Sequence, residues 1–112
     1  MISKLSYQPV LRLTVTATEI LPAHKFISFA GGLCTGTQKA LGVSDYPALD
    51  GEQTSVIAIG TAIVQASGTI AQGTVVSADA SGNAKTIESG ETPLGIAISP
   101  KVGDFVEVLI TH

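Results

Sequence analysis

Hydrophobic and polar residues alternate along residues 10–17, with Leu11, Leu13, Val15 and Ala17 on one side and Arg12, Thr14 and Thr16 on the other. A two-residue period predicts a strand with one buried face. Pro9, just before it, limits pairing at its start. Short β-branched runs at residues 26–29, 56–59, 61–66, 75–78, 94–98 and 105–110 predict further strands. Between them stand Gly31-Gly32, Asp50-Gly51, Ser67-Gly68, Ser81-Gly82-Asn83, Ser89-Gly90 and Gly103-Asp104, the residue types that tight turns select. Residues 79–83, between Val75-Val76-Ser77-Ala78 and Ala84-Lys85-Thr86-Ile87, predict a hairpin with a short loop. No stretch carries an apolar stripe at helical spacing, and only residues 37–41 leave room for about one helical turn.

The pattern also repeats. Leu21-Pro22-Ala23-His24-Lys25-Phe26-Ile27-Ser28 returns about 49 positions later as Ile70-Ala71-Gln72-Gly73-Thr74-Val75-Val76-Ser77, apolar for apolar and closing on the same Ser. Leu41-Gly42-Val43-Ser44 matches Leu94-Gly95-Ile96-Ala97, and Gly51-Glu52 before Val56 matches Gly103-Asp104 before Val106. Two copies are too few for a solenoid, which needs three or more stacked units. They predict an all-β fold, a small barrel or sandwich built from two pseudo-repeats, about residues 21–59 and 70–110, that leaves few free strand edges. Gly42 and Gly95, at matching places inside strands, read as corner glycines where backbones approach closely. Residues 1–9 form an extended N-terminal arm ahead of a single β domain at residues 10–112. In the arm only Ile2, Leu5 and Tyr7 could anchor an otherwise mobile segment.

Composition narrows the function. The chain has 112 residues, the size of one domain, and is 45% hydrophobic but only 4% aromatic, so Val, Ile, Leu and Ala must build its core. A core of that kind is thin, and oligomerisation would add to its stability. A formal net charge of -3 and 13% charged residues argue against a nucleic-acid partner. Before Leu41, Lys4, Arg12, Lys25 and Lys39 face Glu19 alone, whereas from there on acidic residues dominate. The plain reading is a solvated surface. The sharper one is a basic N-terminal segment that docks on an acidic partner. No apolar run approaches the roughly 20 residues of a membrane span, and the N-terminus lacks the order of a secretion signal, so synthesis in the cytosol is expected.

Chemistry finds little support. His24 and His112 stand without motif context, and Cys34 beside Leu33 reads as a small hydrophobe rather than a nucleophile. Two distant histidines and one cysteine make no zinc signature, and Asp45, Asp50 and Glu52 supply only part of a calcium loop. No glycine-rich phosphate loop occurs. The expectation is a non-enzyme without catalytic residues, metal or cofactor.

Lys39-Ala40-Leu41-Gly42-Val43, Asp50-Gly51-Glu52, the run Thr69-Ile70-Ala71-Gln72-Gly73-Thr74-Val75-Val76 on through Ala84, Pro93-Leu94-Gly95-Ile96-Ala97, and the closing residues 103–110 follow one another in an order that resembles the capsid cement, or head decoration, proteins of tailed bacteriophages. The likeness covers about residues 21–110. It implies a virion protein, made in the host cytoplasm, that binds the outside of an expanded capsid where major capsid protein subunits meet, often as a homotrimer. Ile2, Lys4, Leu5, Tyr7 and Arg12 are the capsid-contact candidates, being basic, apolar-tipped and outside the duplicated unit. Two other classes compete. One is an adhesive or host-recognition module on the virion surface. The other is a biotinyl or lipoyl carrier domain, which would present a modified Lys at a hairpin tip, where this chain has Ser81-Gly82-Asn83.

Overall fold

The computed structural model describes residues 9–110. The arm residues Ile2, Lys4, Leu5 and Tyr7, and His112, lie outside the described residues. Eight strands form one antiparallel sheet: β1 (Pro9–Thr16), β2 (Phe26–Ser28), β3 (Ala40–Ser44), β4 (Gln53–Gln65), β5 (Val75–Ala78), β6 (Ala84–Thr86), β7 (Gly95–Ala97) and β8 (Phe105–Ile110). The sheet runs β2-β3-β4-β8-β7-β5-β6, with β1 added along β4. Its two ends come together. Phe26 N–H, on β2, donates to Gly82 O in the β5–β6 loop at 2.8 Å. Ala84, at the start of β6, bridges Ala66 just beyond β4. The sheet thus curls into a nearly closed small barrel, which removes most free edges.

The repeated sequence motifs occupy matching places in this order. β2 pairs β3 and β3 pairs β4, while β5 pairs β7 and β7 pairs β8. The two three-stranded sets meet where β4 pairs β8. A Cβ on Gly42 would strike the carbonyl of Ile57, and one on Gly95 would strike Val108 Cγ1 and the carbonyl of Leu109. Each glycine therefore lets the last strand of its set close over the middle one, which accounts for a Gly inside an otherwise β-branched run.

Three local expectations change. Residues 37–41 do not make a helical turn: Gln38 N–H closes a turn onto Thr35 O at 3.1 Å, and β3 begins at Ala40 because both its edges find partners, in β2 and β4. The two strands expected at residues 56–59 and 61–66 are one thirteen-residue strand. It runs through Gly60, whose φ of 113° is open to glycine, and passes from β1 and β3 as neighbours to β8. Finally, β1 exists as expected, but of the face predicted to be buried only Ala17, just past its end, is fully covered, at 1% exposure. Val15 is half-buried, and Leu11 and Leu13 stay 41% and 37% exposed.

Two clusters make the core. The larger fills the barrel with Phe26, Val43, Ile57, Val64, Val76, Val106 and Val108 among others, and the smaller gathers Ala17, Leu21, Ile27, Ala48 and Val56. Phe26 is the one aromatic ring in either, as an aliphatic-rich composition requires. Each Val or Ile so buried contributes roughly 1.5–3 kcal/mol before chain entropy is subtracted.

Candidate docking surface

The groups that sequence reading weighed for chemistry are tied into the scaffold. Burial pushes the Cys34 thiol up to about 11, so it stays protonated at neutral pH, and its sulfur lies 3.5 Å and 3.4 Å from the carbonyls of Thr35 and Gln38. His24 Nδ1 lies 3.2 Å from Ile63 O, to which it donates, and its ring stands edge-on to Phe105 at 5.6 Å. His24 has a φ of 63° and is a loop fastener. The carboxylates of the calcium-like stretch are dispersed: Asp45 accepts from Arg12 Nη1 at 2.5 Å, while Glu52 accepts from Leu49 N–H at 2.7 Å. Among the described residues no three His, Cys, Asp or Glu side chains gather at a metal-binding distance.

What stands out instead is exposed apolar surface. Among the described residues β1 has one strand neighbour, β4. Val10 falls at a register shift and is 74% exposed. Leu11 lies opposite Ile59, itself 47% exposed, and Leu13 follows on the same face two residues on. These four side chains form a stripe at the end of β1 to which residues 1–8 connect. Arg12, between Leu11 and Leu13, turns to the other face and meets Asp45 with 37% of its side chain exposed.

A second apolar area lies beyond the Thr16 end of β1. Ile20, Leu21, Pro22, Pro47, Ala48, Leu49 and Glu52 line a shallow groove of about 370 Å³. Its floor is the two-way backbone bridge between Leu21 and Ala48, 2.8 Å in each direction. Ile20, Tyr46 and Leu49 stay more than 60% exposed at or beside this groove. Sequence reading missed it because it treated residues 45–52 as a carboxylate loop. The available signal was Tyr46-Pro47-Ala48-Leu49, an apolar run inside a turn-rich segment, where no strand alternation turns it inward.

The hairpin tip is anchored at Gly82, while Ala80 and Ser81 stay exposed. Gly82 is buried, with its Cα side against Phe26 O and the Leu33 side chain. Lys85, the lysine nearest the tip along the sequence, is bonded to Glu88 at 2.9 Å and Glu91 at 2.7 Å, hydrogen bonds that raise its own pKa, the second also lowering that of Glu91. That arrangement does not suit a carrier lysine, which must present a free amine at an exposed turn.

Comparison with known proteins follows the same direction. The family model described as phage cement protein matches residues 5–112. The crystal structure of the head fiber gp8.5 N base of bacteriophage phi29 has a similar fold, with a TM-score of 0.74 and 17% sequence identity over 90% of this chain and 93% of that one. No curated protein matches the chain.

Proposed function

Because this chain belongs to the phage cement protein family, and is thereby a structural virion protein associated with the phage capsid, we propose that it binds the outer surface of the expanded capsid and stabilises it by bridging major capsid protein subunits. The observation that carries the reading is the family match over nearly the whole chain. The exposed stripe of Val10, Leu11, Leu13 and Ile59 supports it, since a small barrel that leaves such residues uncovered has an apolar surface ready for a partner. We place the contact on this stripe, on Arg12, and on Ile2, Lys4, Leu5 and Tyr7 of the arm that leads into it. Self-association as a homotrimer would multiply weak contacts on a repetitive lattice into high avidity.

Co-sedimentation of the purified protein with capsids lacking it, in expanded and unexpanded forms, tests the proposal. Saturable binding to the expanded form alone is the expected result. Binding to neither form overturns it and turns attention to an adhesive role on the virion surface.

A further inference from the structure

Where the ends of the barrel meet, three side chains stand in a chain of contacts that a purely structural seam does not require. Lys25 is only 8% exposed, and its backbone is held to Ser44 from both sides, through Lys25 N–H to Ser44 Oγ at 3.0 Å and Ser44 N–H to Lys25 O at 2.8 Å. Its Nζ donates to Asn83 Oδ1 and, among the described residues, is paired with no carboxylate. The other end of the same carboxamide, Asn83 Nδ2, donates to Asp79 Oδ2 at 3.1 Å. Asp79 is in turn fixed by the N–H groups of Ser81 and Asn83, at 2.8 Å and 3.0 Å, and by Ser67 Oγ at 3.1 Å. An amine, a carboxamide and a carboxylate are thus aligned, the buried Lys25 reaching a half-buried Asn83 and Asp79 that the loop's own N–H groups and Ser67 hold in place.

We propose that Lys25 and Asn83 become joined by an intramolecular isopeptide bond, with Asp79 as the proton carrier. Lys25 gives up a proton to solvent, and the lone pair on Nζ forms a bond to Asn83 Cγ. At that stage both nitrogens sit on one carbon, so the carboxylate already touching Nδ2 can take a proton from the attacking nitrogen and deliver it to Nδ2. The Cγ–Nδ2 bond breaks with its electron pair on nitrogen, ammonia leaves, and the amide carbonyl re-forms. Nothing is oxidised or reduced, and Asp79 ends as it began. Holding the two groups in contact replaces a bimolecular encounter, which is how an unactivated carboxamide becomes reactive enough.

The placement gives the bond a purpose. Lys25 and Asn83 are 58 positions apart, one just before β2 and the other just before β6. The adjoining backbone contact between β2 and this loop is the hydrogen bond from Phe26 to Gly82. A covalent link here would turn that seam into a ring that cannot open without breaking a bond, an advantage in a virion component under load.

Intact-mass spectrometry of the purified full chain, followed by tandem analysis of its tryptic digest, tests the proposal. The expected mass is lower than the sequence mass by one ammonia, with a branched peptide joining Lys25 to Asn83. Lys25→Arg and Asn83→Ala should each return to their full calculated masses, and Asp79→Ala should do so with both reacting groups still present. A folded wild-type chain at full mass overturns the proposal. So does a loss of ammonia that persists in Lys25→Arg, which would mean cyclisation of Asn83 on its own backbone. Cross-linking that continues in Asp79→Ala overturns the role given to Asp79.

Discussion

β1 and β8 both lie antiparallel to β4, one along its first half and the other along its second, yet they differ in depth. In β8 Val106, Glu107 and Val108 are buried in succession, whereas every side chain described in β1 keeps some exposure. Their sequences do not announce the difference, since Leu11-Arg12-Leu13-Thr14-Val15 alternates at least as cleanly as Val106-Glu107-Val108-Leu109-Ile110. What separates them is neighbours. β8 has β4 on one side and β7 on the other and lines the barrel, while among the described residues β1 has β4 alone. A strand with one described partner is held by its ladder, and its side chains stay more exposed than those of a strand paired on both edges.

The comparison can be broken at several points. The largest effect should come from the interior that β8 helps to enclose: Phe26→Ala should cost about 3–5 kcal/mol and Val108→Ala about 2 kcal/mol, by denaturant unfolding. Gly42→Ala and Gly95→Ala should each cost about 1–3 kcal/mol, because the added methyl meets a neighbouring strand's carbonyl that cannot move without opening the sheet. If both are neutral, the close approach is not what selects glycine there. On β1, Leu13→Asp combined with Ile59→Asp should shift stability by no more than about 1 kcal/mol while abolishing co-sedimentation with capsids. Removal of residues 1–8 should do the same. A large loss of stability from the β1 pair would mean that its face is core after all.

A smaller effect should appear with pH at the hairpin. Burial tends to raise the pKa of Asp79, but hydrogen bonds from Ser81 N–H, the Asn83 side chain, Asn83 N–H and Ser67 together outweigh it and hold the carboxyl below its ordinary value. A carboxyl lowered by folding stabilises the native state above the ordinary carboxylate pKa, and that contribution is lost as pH falls through the folded value. In a Lys25→Arg background, where no cross-link can form, the melting temperature should therefore drop less between pH 7 and pH 3 with Asp79→Asn than with Asp79 retained. Equal drops would show that the hairpin carboxylate does not couple to folding. Glu91→Gln, at the half-buried Lys85 cluster, should change stability least of all, since Gln keeps the shape and an acceptor oxygen for the Ser77 hydroxyl and the Glu88 N–H.

Much of this protein could be read from residue order alone. β-branched runs separated by Gly, Asn and Asp specify short strands and turns wherever they occur, because φ/ψ preference and turn chemistry are local. The hairpin around residues 79–83 and the matched glycines at 42 and 95 were legible for that reason, as was the likeness to phage cement proteins, which resides in the order of such motifs. Residues 37–41 misled because their weak helical tendency yields to two strand partners supplied by distant segments. The unbroken β4 was hidden because Gly60 punctuates a sequence in the same way whether the chain turns or only bends. Long-range pairing decided the rest. The position of β1 at the margin, the groove between residues 20–22 and 47–52, and the meeting of Lys25, Asn83 and Asp79 at the seam all depend on which strands become neighbours, and neighbours across a closed sheet are chosen by the whole chain at once.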